Sequence, residues 1–196
     1  ISHLGQMSDL ANPDEGIDLE GHFLLPGFID IHAHGADGCD VCDASPDSLQ
    51  HIAEKKLAEG VTTWLPTTLT QPREKLREII QTIADWAPSA PIRVPGLHLE
   101  GPFINREQAG AQNPEFVRPP DPTELRELHE IFPISILSLA PELPGGLNLV
   151  REARSLGIIA SAAHTKASYD EIMEAMGFGP SQLTHYGNPI TGLHHP

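Results

Sequence analysis

Five residues of metal-binding type recur at one kind of position along the chain. His32 and His34 close the apolar run at 27–34, Glu100 closes 93–100, His164 closes 158–164 and His185 closes 182–185. Imidazole and carboxylate suit Zn²⁺ or Fe²⁺, and fewer than four fixed ligands leave a place for water. As residues i and i+2 of an extended run, His32 and His34 point to one side, so both rings can approach one ion. A lone histidine at a strand end is usually a hydrogen-bonded polar residue and nothing more. Five candidates, all at strand ends, reverse that reading. His98, two residues before Glu100, is read as a partner of the site or as core. His3, His22, His51, His129, His194 and His195 have no such placement and are assigned to the surface or to no role.

Placing these residues requires alternating strands and helices. The apolar runs at 27–34, 61–69, 93–100, 134–140, 158–164 and 182–185 begin at intervals that suit successive βα units. Helix starts follow several of them: Ser45-Pro46 and Gln71-Pro72, with proline near the first helical position, then Asp121-Pro122 and the capping box Ser168 to Glu171. Leu76, Ile79, Ile80 and Ile83 recur at helical spacing. This rhythm predicts a parallel sheet covered by helices, and its size matches about six units of a (β/α)8 TIM-like barrel. In such a barrel the chemistry sits at the carboxyl ends of the strands, where the five candidates fall. A doubly wound open sheet is the rival, but no Gly-x-Gly-x-x-Gly follows the first strand. Residues 1–25 break the rhythm. Their strand-like pieces, 17–19 and 22–25, read as the edge of a small N-terminal β-domain, with 26–196 as the partial barrel. Residues 101–120, rich in glycine and proline, read as a structureless loop that covers substrate.

Composition excludes several classes. The chain has 196 residues, a formal net charge of −15 and 12 Lys and Arg in all, which argues against a nucleic-acid partner. No apolar stretch approaches the roughly 20 residues of a membrane span, and no signal peptide is evident, so the expected setting is cytoplasmic and away from membranes. Cys39 and Cys42 form one Cys-x-x-Cys without a second pair, and the reading leaves half a zinc site, a redox pair or incidental thiols in a reducing compartment.

Leu24-Leu25-Pro26-Gly27-Phe28-Ile29-Asp30-Ile31-His32-Ala33-His34-Gly35 resembles the first-strand signature of the amidohydrolase superfamily. His98-Leu99-Glu100-Gly101-Pro102-Phe103, then Gly110 and Asn113-Pro114, resembles the branch of N-acetylglucosamine-6-phosphate deacetylases, and Ala163-His164-Thr165 and Thr184-His185 fall where that branch places two metal-binding histidines. The run at 134–140 has no lysine to be carboxylated, which favours the branch that uses Glu100. The resemblance implies one or two divalent ions, Zn or Fe, with Glu100, His164 and His185 as main ligands and His32 and His34 adding a second site. It implies release of acetate from an amino-sugar phosphate, with the ion polarising the acetyl carbonyl and activating water, and a homodimer. Its general acid/base, an aspartate ending an eighth strand, is expected beyond Pro196. The positions that meet the sugar phosphate are Ala111, Gln112, Asn188 and Pro189. Two of them depart from the family: Gln112 stands where a histidine is usual, and Pro189, lacking an N–H, stands where a backbone donor is expected. Hydrolysis of another small amide and an inactive binding relative are the alternatives.

Overall fold

The structure is a computed structural model that describes residue 5 and residues 16–179, 182–188 and 190. Its core is a parallel six-stranded sheet of β1 (Phe28–Ala33), β4 (Val61–Thr68), β5 (Leu97–Glu100), β6 (Ile134–Leu139), β7 (Ile159–Ala162) and β8 (Gln182–Leu183), paired in that order. A short antiparallel pair, β2 (Gly35–Ala36) and β3 (Cys39–Asp40), follows β1. The helices α1 (Pro46–Ala58), α2 (Arg73–Trp86), α3 (Pro122–Ile131), α4 (Gly146–Ser155) and α5 (Tyr169–Phe178) connect the strands.

Local chemistry sets the helix starts. The Ser45 hydroxyl accepts from the Ser48 N–H, Asp121 accepts from the N–H groups of Thr123 and Glu124, and Ser168 and Glu171 satisfy each other's backbone as a capping box. The apolar stripe of α2 buries Leu76, Ile79, Ile80 and Ile83 against a core that includes Trp64, Leu97, Leu99 and Leu137.

The sheet is curled. Strands lie about 4.8 Å apart, so a flat six-stranded sheet would separate its outer strands by about 24 Å. Here His32, on the first strand of the order, and His185, just past the last, have ring centroids 5.4 Å apart. This is an incomplete (β/α)8-type barrel with six strands present, and the curl brings the strand ends to one place.

Four readings need correction. The third barrel strand begins at Leu97 and not at residue 93, because Pro95 offers no N–H to a ladder; Arg93 makes an isolated bridge to Thr63. The sixth ends at Leu183, and Thr184 and His185 lie in a turn. The pieces at 17–19 and 22–25 are not strands among the described residues: a turn closed by His22 N–H to Leu19 C=O separates them, and Ile17 and Phe23 are exposed. Among the described residues no strand pairs with them, and pattern alone makes no ladder. Residues 101–120 are not structureless. Phe103 and Ile104 are fully buried, Arg106–Gln108 forms a 3₁₀ turn, and Arg118 clamps the far end by donating to Glu124, Gln71 C=O and Phe116 C=O.

Candidate metal centre

Glu100 ends β5 inside the mouth of the curl, its side chain 1% exposed. Four imidazoles point their Nε2 atoms at it. His185 lies 2.7 Å and His164 3.2 Å from Oε1, His34 lies 3.0 Å from Oε2, and His32 lies 3.7 Å from Oε1. The structure therefore brings together all five residues singled out from the sequence. One ligand atom from each of His32, Glu100 and His185 falls within 4.8 Å of the others. The His164 side chain is nearly buried, whereas those of His32, His34 and His185 are 28%, 30% and 28% exposed, so the cluster opens to solvent on their side.

The backbone is bent to achieve this. His164 and His185 both have positive φ, 46° and 32°, a region that costs a non-glycine residue about 1–3 kcal/mol. Neighbours hold His164 there: its carbonyl accepts from the Asn105 N–H, and Glu142 ties the Asn105 side chain to Thr165 and to the Lys166 N–H. Gly101 (φ 72°) follows Glu100, and a Cβ there would lie 2.2 Å from the Thr70 hydroxyl, so no other residue fits.

Hydrogen bonds set the ring tautomers. The Nδ1–H of His34 donates to Thr67 C=O at 3.1 Å and that of His164 to Gln108 C=O at 2.8 Å. A carbonyl can only accept, so in the neutral rings each Nε2 presents a bare lone pair toward Glu100. Lone pairs facing a buried carboxylate repel unless a positive charge lies between them, either protons or a cation. Without an ion, the protons carry that charge. Burial raises the Glu100 pKa, but hydrogen bonds from His164, His185 and His34 outweigh it and hold the carboxyl well below the usual range. Burial would lower His34, yet the bond and charge of Glu100 raise it; the Glu100 bond raises His185; burial lowers His32 despite Glu100. The donor set fits a divalent cation of the Zn²⁺ or Fe²⁺ type.

Gln112, expected to face a sugar, faces inward. Its Oε1 accepts from the Thr70 N–H at 2.6 Å, which fixes the amide orientation and leaves Nε2 donating to Glu100 Oε2 at 2.8 Å. Ala111 and Asn188 are exposed, and Pro189 lies outside the described residues. His98 is fully buried beneath the cluster. It bonds to Ile31 C=O and to the Ser138 hydroxyl, with burial pushing its pKa down to about 4. Its place two residues before Glu100, on the same side of the strand, was the sequence signal for it. Asn105, Gln108 and Glu142, which hold His164, carried no sequence signal. Among the described residues Cys42 belongs to no metal-ligand cluster: its Sγ accepts from the Leu69 N–H, and burial pushes its thiol up to about 12.

Residues 23–188, which contain this whole constellation, match the Amidohydrolase family. The chain belongs to that family. Among amidohydrolases it is 37% identical over 188 residues to N-acetylglucosamine-6-phosphate deacetylase of Lysinibacillus sphaericus, a match covering 92% of this chain and 49% of that protein. It is 35% identical to N-acetylgalactosamine-6-phosphate deacetylase of Escherichia coli O157:H7, covering 90% and 48%. A variant of N-acetyl-D-glucosamine-6-phosphate deacetylase from Mycobacterium smegmatis, solved with N-acetyl-D-glucosamine-6-phosphate, superposes with a TM-score of 0.80 at 30% identity over 84% of this chain and 43% of that one. The chain spans about half the length of the curated relatives it matches. Among the described residues no helix is long and apolar enough to cross a membrane.

Proposed function

We propose that this amidohydrolase chain carries the metal-binding half of a deacetylase that releases acetate from an N-acetyl amino-sugar 6-phosphate. The observation that carries this reading is the convergence of four imidazole Nε2 atoms on the buried Glu100 carboxylate, two of them with tautomers set by backbone carbonyls. Glu100, His164 and His185 would hold one divalent ion, Zn²⁺ or Fe²⁺, with His32 beside them. Such an ion, when bound, supplies Lewis acidity toward the acetyl carbonyl and hydroxide near neutral pH. The protein's own contribution is orientation. Thr67 and Gln108 aim two rings, Gln112 steadies one oxygen of Glu100, and the buried floor of the site keeps water on the open side of His32, His34 and His185. Gln112 occupies Glu100 Oε2 beside His34, which favours one tightly held ion over two. Proton transfer falls to an aspartate at the end of an eighth strand, by likeness to the family. A cytoplasmic homodimer in which residues 1–25 contribute to a small β-domain completes the reading.

One observation favours a second reading in which the amide substrate differs: Gln112 is turned inward to Glu100. Acetate release from N-acetylglucosamine 6-phosphate, N-acetylgalactosamine 6-phosphate and unphosphorylated N-acyl amides, measured on the protein containing this chain, separates the readings. Turnover of either sugar phosphate supports the leading one, and preference for an unphosphorylated amide overturns it. A protein that binds metal but turns over none of the three is the inactive relative.

A further inference from the structure

Beneath the ligands runs a buried chain of hydrogen bonds that the proposed chemistry does not use. His98 Nδ1 lies 2.8 Å from Ile31 C=O, His98 Nε2 lies 2.7 Å from Ser138 Oγ, Ser138 Oγ lies 2.6 Å from Thr184 Oγ1, and Thr184 Oγ1 lies 2.7 Å from Ser161 Oγ. All four side chains are buried. Each hydroxyl has a single proton, so the direction of the chain is determined. The carbonyl of Ile31 can only accept, hence His98 Nδ1 carries the proton and the neutral ring's Nε2 accepts from Ser138. Ser138 must then accept from Thr184, and Thr184 from Ser161.

The members are placed beside the ligands. Ile31 precedes His32, His98 is two residues before Glu100 on the same strand face, Thr184 precedes His185, and Ser161 is three residues before His164. Ser138 pairs in register with Glu100, and its carbonyl accepts from the Gly101 N–H. The chain also crosses strands that are not neighbours: His98 reaches β1 past β4, and Ser138 reaches Thr184 past β7.

We infer that Ser161, Thr184, Ser138 and His98 form a positioning layer that locks the ligand-bearing strands β1, β5, β7 and the end of β8 in the curl and so sets the spacing of the metal ligands. Thr184 is its centre, since it alone bonds to two other hydroxyls. This inference rests on the metal-binding reading above.

The test is Co²⁺ titration of the protein containing this chain, followed by the visible d–d absorption of the bound ion, with folding checked by circular dichroism. Thr184→Val keeps the volume and loses the hydroxyl. It is expected to bind Co²⁺ about 10–100-fold more weakly and with an altered d–d spectrum, as is usual when groups behind metal ligands are removed. Thr184→Ser restores both. Leu149→Ala, a buried change in α4 away from the chain, lowers stability without altering either readout. Wild-type affinity and spectrum in Thr184→Val, or failure of Thr184→Ser to recover them, overturns the inference. If Thr184→Val does not fold, Ser138→Ala takes its place with the same expected loss, and an unchanged affinity again overturns it. A wild-type protein that binds no Co²⁺ overturns the metal reading itself, which is a different result from a wild-type protein that binds and a variant that binds equally.

Discussion

Two carboxylates in this molecule each meet a histidine Nε2 at 3.0 Å, Glu100 with His34 and Asp37 with His51, and they have little else in common. Asp37 lies 55% exposed in the turn between β2 and β3, and its second partner is the flexible ammonium of Lys55. Water screens the pair, and long side chains lose entropy in holding it, so it contributes little. Glu100 is 1% exposed, is surrounded by rings at or just past strand ends, and among the described residues pairs with no lysine or arginine. A buried charge without a fixed counter-charge is costly, and the cost is relieved only by protons on the rings or by a cation. The same residue types at the same distance thus make a surface contact in one place and a candidate metal centre in the other, and burial with backbone constraint decides which.

The largest effect should come from Glu100→Ala. The purified variant is expected to retain no ion through gel filtration, measured by elemental analysis, and retention of wild-type metal content would break the contrast outright. His185→Ala comes next, with Co²⁺ affinity falling by more than the about 10–100-fold typical of groups one step removed from a metal. Glu124 sharpens the comparison from another direction, since it is buried like Glu100 but is gripped by Arg118 through bonds of 2.5 and 3.0 Å. Arg118→Ala strands that charge and should lower unfolding free energy by about 3 kcal/mol in urea while leaving Co²⁺ affinity near wild type.

Acidity separates the two carboxylates further. In metal-free protein, the raised pKa of His34 and of His185 gives stability that is full below the ordinary histidine value of 6.5 and is lost as pH rises through their folded values. The lowered pKa of His98, about 4, and of His32 acts in the opposite sense: the unfolded chain binds more protons, so stability falls as pH drops from 6.5. His98 alone accounts for up to about 3 kcal/mol of that fall. Glu100, held low, adds a further loss below about 4.5 as its carboxyl is finally protonated. The urea midpoint of the chelated protein should therefore peak near pH 6.5, and a midpoint still rising at pH 8 would contradict the pairing seen here. The smallest effect belongs to Asp37→Asn. Asparagine tolerates the positive φ of 53° at that position, and the thermal midpoint should move by no more than about 1 °C.

Much of this was legible in the sequence because β4, β5, β6 and β7 are largely buried on both faces and, like β1, read as short apolar runs with chemistry at their ends. Glu100, His164 and His185 could be picked out that way, and the period of two along a strand placed His32 with His34. The curl that gathers them was implied by the number and spacing of units, not by any one residue. Other features depend on contacts remote in sequence. Nothing near Gln112 announces that the Thr70 N–H, 42 residues away, turns its amide toward Glu100. The left-handed backbone at His164 depends on Asn105 and Glu142, and the hydroxyl chain depends on strands that skip their neighbours. At the N-terminal end the alternation at 17–25 describes a segment ready to pair, and among the described residues no second strand pairs with it.

His32 stands on the first strand of the sheet and His185 just past the last, and among the described residues no ladder joins those two strands. A ligand gripped by both rings would act as a clasp, closing a loop that contains most of the chain. Constraints that close long loops restrict the unfolded state most, and whatever binds the native state alone adds its binding free energy to stability. Metal affinity and resistance to unfolding would then be one quantity read in two ways, and a chelator would lower the unfolding midpoint of the metal-loaded protein.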